Sequence, residues 1–183
     1  MKPRTIWTLL LAWLLALPAT ATVLLPLTVD DLSRLAPLVL VGEVNSVKCE
    51  WNQSKTKIYT RVLVTPTEVL KGDKNPGTVT IKTIGGRVGN VVAELAGAPR
   101  FSVGERVVVF LEPRRDGDGY NTLGLYQGKF ELVRDQKTGQ ELALRPEAGR
   151  GVGFAADAAT SKNENVLTLE QIRAAVRRAG GGK

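Results

Sequence analysis

The chain contains no histidine and a single cysteine, Cys49. Without histidine there is no imidazole base. Ser–His–Asp and Cys–His arrangements are excluded, and the usual zinc ligand sets with them. One thiol cannot form an internal disulfide. Cys49, in "SVKCEWN", falls at the end of a strand pattern and reads as a small, half-buried residue. Aromatic residues are only 5% of the 183, so a core has to be assembled mainly from Val, Leu, Ile and Ala. Internal repeats are absent. Carboxylate pairs such as Glu68 with Asp73 are what any 18 acids supply. No convergent acid–base set stands out, so the expectation is a protein that is not an enzyme and takes no cofactor or metal.

What is present is ordinary for one domain with a real core: 43% hydrophobic and 23% charged residues. The N-terminus, "MKPRTIWTLLLAWLLALPATA", has Lys2 and Arg4, an apolar run from Ile6 to Leu17, Pro18, and small residues at Ala19 and Ala21. That is the pattern of a secretory signal peptide cleaved after Ala21. The run is short against the ~20 residues of a membrane span. Cleavage would remove two bases and no acid, taking the net charge of +7 down by two. The expected location is secreted or periplasmic. Export disfavours nucleic acid as a partner, and the bases lie scattered among acids, as on a solvated surface.

Along the rest of the chain, Thr28 with Asp31 predicts a short helix that Pro37 stops. "LVLVGEVNSV" (38–47) reads as a strand. In "KIYTRVLVTPTEVLKG", Ile58, Thr60, Val62 and Val64 share one face and Tyr59, Arg61 and Leu63 the other; Pro66 suggests an edge or a bulge. "TVTIKTI" (78–84) is a third strand. "ERVVVFLEP" (105–113) is the most apolar run and reads as a central strand buried on both sides. "YNTLGLYQGKFELVRD" and "QELALRP" read as two further strands around a turn at "RDQKTG". Six strands with little helix between them predict a mainly β fold, a small antiparallel barrel or sandwich. The Gly/Ala-rich span 148–165 reads as a linker. Thr168 and Gln171 then open a terminal helix with Leu169, Ile172 and Val176 on one face.

Two loops invite chemistry. After strand 78–84, Gly85, Gly86 and Gly89 resemble a phosphate-binding turn. Gly89, however, is followed by Asn90-Val91-Val92, with no Lys-Ser/Thr, and the glycine spacing misses the dinucleotide pattern. A flexible surface loop with positive-φ glycines is the expectation. "RRDGDGYN" starts like a calcium loop at Asp116 and Asp118, but Tyr120 and Asn121 occupy positions that need a ligand and a glycine. A turn is expected there.

"GAPRFSVGERVVVFL" (97–111), preceded by "APLVLVGEVNSV" (36–47) and "IYTRVLVTPTEVLKG" (58–72), resembles the OB-fold barrel of tissue inhibitors of metalloproteinases and netrin-like modules. The order of "EVLKG" and "F-x-x-G-E-x-V-V-x-F-L" is similar to that of bacterial secreted proteins with such a barrel. The resemblance spans about residues 29–145 and implies a small OB-like barrel, here 22–147, flanked by a short N-terminal helix and a helix and tail at 166–183. The animal inhibitors begin with a cysteine that chelates the protease zinc. This chain offers Thr22 there, and Cys49 lies inside the barrel region. The inhibitor mechanism therefore has no residue to carry it.

The expectation is an exported, non-enzymatic binding module whose partner is a protein, a secreted protease being one candidate. The candidate face is the glycine loop, with Gly85, Gly86, Arg87, Gly89, Arg100 and Phe101, beside the Trp51 and Tyr59 hairpin. For Trp51 and Tyr59, capping of the barrel is the alternative. One rival is an envelope protein that binds anionic lipid or polysaccharide through Arg87, Arg100, Arg173, Arg177 and Arg178. Another is a hydrolase of unrecognised type.

Overall fold

The computed structural model describes residues 22–146, 152–154 and 164–181. The expected signal peptide, residues 1–21, lies outside the described residues, as do most of the expected linker and the last two residues. In chain order the elements are β1 (Thr22–Leu24), α1 (Val29–Leu35), β2 (Leu38–Trp51), β3 (Ile58–Lys71), β4 (Val79–Ile84), β5 (Gly86–Val88), β6 (Val91–Ala93) and β7 (Arg106–Pro113). There follow β8 (Tyr120–Thr122), a 3-10 turn (Leu125–Gly128), β9 (Lys129–Arg134), β10 (Glu141–Leu144), β11 (Val152–Phe154), β12 (Val166–Thr168) and α2 (Leu169–Gly180).

The protein is mainly β. Five strands close into a barrel in the order β7-β2-β3-β4-β8 and back to β7. All neighbours are antiparallel except β4 and β8, which meet in parallel at Ile81 and Tyr120. This is the small OB-like barrel expected from the sequence, with a short helix before it and a helix after it. The strand β7 divides its partners. Leu111–Pro113 pairs with β8 and closes the barrel, while Val107–Val109 pairs with β9, from which β10 and β12 extend the sheet sideways. Within the span read as a linker, β11 pairs in parallel with β1.

Side-chain alternation makes two cores on the two sides of β2 and β7. Leu38, Leu40, Val44, Val107, Val109 and Leu111 fill the barrel with Val62, Val64, Val79 and Ile81. Val39, Val41, Val108 and Phe110 face outward, where α1 and α2 cover them with Leu32, Ile172 and Val176. Phe110 meets Phe130 edge to face at 5.9 Å. The unbroken apolar run of β7 is thereby explained: both of its sides are buried. Both helices open with capping boxes: Thr168 with Gln171, as read from the sequence, and Thr28 with Asp31, where the sequence reads as an N-cap and an acid in the first turn.

The β2–β3 ribbon is bent by three unmatched residues: Asn45 on β2, and Thr67 and Leu70 on β3. Thr67 is the bulge that Pro66 announced. Asn45 was not foreseen, and it matters more. It reverses the parity of β2, so that Val47 and Cys49, rather than Ser46 and Lys48, continue the inward row begun by Val44.

The expected single strand over 120–135 is broken. Gly124 takes a left-handed conformation (φ 65°), and a Cβ there would lie 2.6 Å from Leu27 Cδ1. The chain turns through Leu125–Gly128 before β9 begins. Gln127, buried in that turn, accepts from Leu27 N–H at 2.7 Å and donates to Leu25 C=O at 3.1 Å. The break thus serves to pin the N-terminal segment.

Candidate functional site

The strands β2 and β3 are fourteen residues each, roughly 45 Å of extended chain. β7 pairs with β2 only from Leu38 to Glu43. Beyond that point the ribbon overhangs the barrel together with β4. Its inward side is covered instead by β5, β6 and residues 94–101. Between cover and ribbon lies an open cleft of about 400 Å³.

The floor is a ladder of small side chains. Cys49, Thr60 and Thr83 lie in cross-strand register on β2, β3 and β4, with Val47 beside them. The glycine segment, expected as a flexible loop, is a hairpin instead. β5 and β6 pair around Gly89 and Asn90. Gly89, with φ 59°, takes the first central position, where a two-residue hairpin turn favours glycine. Gly86 presses onto the floor with φ 127°; a Cβ there would sit 2.6 Å from both Cys49 Sγ and Thr60 Oγ1. Gly85 N–H donates to Ile58 C=O at 2.9 Å, and Thr60 Oγ1 donates to Gly85 C=O at 2.8 Å. Main chain thus holds the hairpin where no side chain fits.

The opposite wall is fixed from below. Lys129, 4% exposed, donates to Arg100 C=O at 2.7 Å and pairs with the Glu105 carboxylate. Its Nζ lies 5.1 Å from the centre of the Phe101 ring. The other Glu105 oxygen accepts from Ser102 N–H at 2.9 Å. A buried ion pair therefore seats Phe101 against the barrel core and leaves the Arg100 side chain free to face outward. Arg100 reaches Glu94 at 3.5 Å, both side chains being largely exposed. Farther along, Gly97 C=O accepts from Tyr126 N–H at 2.9 Å, which ties this wall to the 3-10 turn.

No family model matches this chain, and no curated protein matches it.

The structure brings Gly85, Gly86, Arg87, Arg100 and Phe101 to this one cleft. Gly89 stands at the hairpin tip with open space around it. Trp51, half-buried at the end of β2 opposite Ile58, is outside the lining. Tyr59 is on the other face of the sheet, because it neighbours Thr60 on a pleated strand. There it lies under Lys82 and Arg114, whose charges are 4.7 and 5.7 Å from the ring centre. The face drawn from the sequence is thus two surfaces. Floor residues Thr60 and Thr83, and rim residues Val92 and Leu95, were not singled out by sequence reasoning. The alternation of β3 already placed Thr60 inward, but the pairing of Thr83 with it depends on a register no local pattern states.

The Tyr59 surface is a closed electrostatic network. Asp118 accepts from Arg61 at 3.0 and 3.1 Å and from Lys82 at 2.7 Å. These bonds hold its carboxyl down at about 2. Asp116 is paired with Arg114 at 2.6 Å, which lowers the carboxyl's proton affinity and raises that of the guanidinium. The acids that resembled a calcium loop are therefore committed to cations, Asp116 to Arg114 beside the turn and Asp118 to Arg61 on β3 and Lys82 on β4. Among the described residues no three His, Cys, Asp or Glu side chains gather as a metal site.

Chemically, the cleft offers main-chain groups, one exposed arginine without an ion pair among the described residues (Arg87), and an apolar rim. Ile84, Val92 and Leu95 line it at 42%, 48% and 37% exposure. Large apolar side chains left out in a cluster mark a contact surface.

Proposed function

We propose that the chain is an exported, non-enzymatic binding module that recognises a protein through the cleft between the β2–β3–β4 overhang and the β5–β6 hairpin. The observation that carries this reading is the convergence on one open cleft of exposed Ile84, Val92 and Leu95 with Arg87 and Arg100. An apolar patch beside arginines is the composition of a protein contact rather than of a solvated loop. The N-terminal pattern supports export, and the resemblance to the metalloproteinase-inhibitor barrel makes a secreted protease a candidate partner. An anionic-surface role has less support. Arg173 is held by Glu68 at 2.6 Å, Arg178 by Asp30 at 2.7 Å and Arg100 by Glu94 at 3.5 Å, so three of its five arginines are already paired.

The test is a cross-linking pull-down with the purified chain against exported proteins of the producing cell, at two salt concentrations. One dominant partner, lost on Val92→Asp with Leu95→Asp, is the expected result. No protein above background, with salt-sensitive binding to anionic vesicles instead, would overturn the reading.

A further inference from the structure

We propose that the cleft's ligand is an extended peptide carrying a carboxylate, which docks as an added strand on the open edge of β6. The proposal rests on the protein-binding reading above and names the chemistry of what is bound.

The first observation is a free backbone edge. Among the described residues β5 and β6 form a two-stranded sheet, in which β6 has a hydrogen-bonded neighbour on one side only. The turn at Gly89-Asn90 makes Val88 and Val91 the hydrogen-bonded pair that closes the hairpin. The next pair, Arg87 with Val92, is then the non-hydrogen-bonded kind. The N–H and C=O of Val92 consequently point away from β5, toward the open side. Natural edges are blunted by a charge, a proline or a bulge. The sequence of β6, Val-Val-Ala, has none of them.

The second observation is apolar exposure on that edge. Val92, 48% exposed, lines the cleft, and Val91, next to it on the pleated strand and 47% exposed, lies on the hairpin's other face. A strand laid beside β6 sets every second side chain over Val92 and the cleft, giving main-chain bonds for affinity and a pocket for selectivity.

The third observation is charge. Arg87 is cross-strand from Val92 on the same face and is exposed. It makes no ion pair among the described residues, while Arg100 shares Glu94 across the cleft. The lining therefore carries a net positive charge, which complements a carboxylate on the incoming strand. An acid placed two residues from an apolar side chain would meet Arg87 and the cleft together.

The test uses the full chain, immobilised and panned with a phage-displayed library of linear random peptides, followed by affinity measurements on the synthetic winners. The expected winners alternate apolar residues and contain Asp or Glu. N-methylation of alternate amides in a winning peptide should weaken binding about tenfold or more, and on one alternation only. Val92→Pro should do the same, since it removes the outward donor and no bond inside the hairpin. Arg87→Glu should weaken acidic winners, with Arg87→Lys largely restoring them. Far-UV circular dichroism and the unfolding midpoint report whether the variants fold. Should Val92→Pro unfold, the N-methyl series on the unaltered chain still decides. Undiminished binding of every N-methylated peptide overturns strand addition. Winners rich in Lys and Arg overturn the charge assignment. A dimer of this chain dissolved by Val92→Pro gives the edge to a second copy and overturns the peptide. A cross-linked protein partner with no linear peptide enriched overturns the extended-peptide inference and leaves the binding reading intact. Neither partner nor peptide removes both.

Discussion

Replacing Lys129 with methionine tests whether a buried ion pair holds the wall of the cleft. The side chains of Lys129 and Glu105 are only 5% and 8% exposed. Lys129→Met removes the bond to Arg100 C=O and the charge over Phe101. It leaves the Glu105 carboxylate with the Ser102 N–H as its remaining described partner. Removing one member of a buried pair costs about 3–5 kcal/mol, because the other charge stays buried and uncompensated. For a chain of this size that is a loss of roughly 6–20 °C in Tm. Urea unfolding followed by circular dichroism measures it. Two companion variants sharpen the reasoning. Lys129→Met with Glu105→Leu removes both charges and should recover most of the loss, because the pair can be replaced by apolar packing. The recovered protein still lacks the tether to Arg100, so its fold returns while its cleft wall stays loose. A cost below about 1 kcal/mol for Lys129→Met, or a double variant no more stable than the single, would refute the argument.

Gly86→Ala should destabilise by about 2–4 kcal/mol, combining a positive-φ penalty with a collision against Cys49 and Thr60. Gly89→Ala, with open space around it, should cost about 1–2 kcal/mol; urea titration compares the two. Phe110→Ala should cost about 3–5 kcal/mol in the same assay, since Phe110 is fully buried against Phe130. Asp118 titrates near 2 when folded and higher when unfolded, so its contribution is complete above pH 4 and disappears as the pH falls through 2. Asp118→Asn should therefore be less stable than the parent at neutral pH, and the two stability curves should converge near pH 2.

The parts legible in the sequence were those fixed by neighbours along the chain. Thr28 caps its own helix with Asp31, and Thr168 its own with Gln171, so three-residue spacing was enough. The apolar run of β7 announced burial on both sides before its partners were known. The parts that escaped depend on contacts across the chain. Asn45 reverses the parity of β2, and nothing local marks it; without that reversal Cys49 would not share a face with Thr60. Gly124 is left-handed because the chain must turn beneath Leu27, nearly a hundred residues earlier. The glycine run looked like a loop because its composition favours turns. Its strands exist only by resting on a floor supplied by β2 and β3. Tyr59 was grouped with the cleft because an aromatic on a hairpin makes a good interface anchor, and the pleat of β3 sends it to the other side.

β2 and β7 each turn one row of side chains to the barrel and the other row to the helices. A strand cannot shift for one row without carrying the other. The two interiors are therefore expected to melt in a single cooperative step rather than as barrel and cap in turn. The same strand β2 continues past the barrel to become the floor beneath Gly86. The cleft thus draws part of its stiffness from Ile172 and Val176, side chains it never meets, and loosening α2 is a way to soften a binding surface from the far side of the molecule.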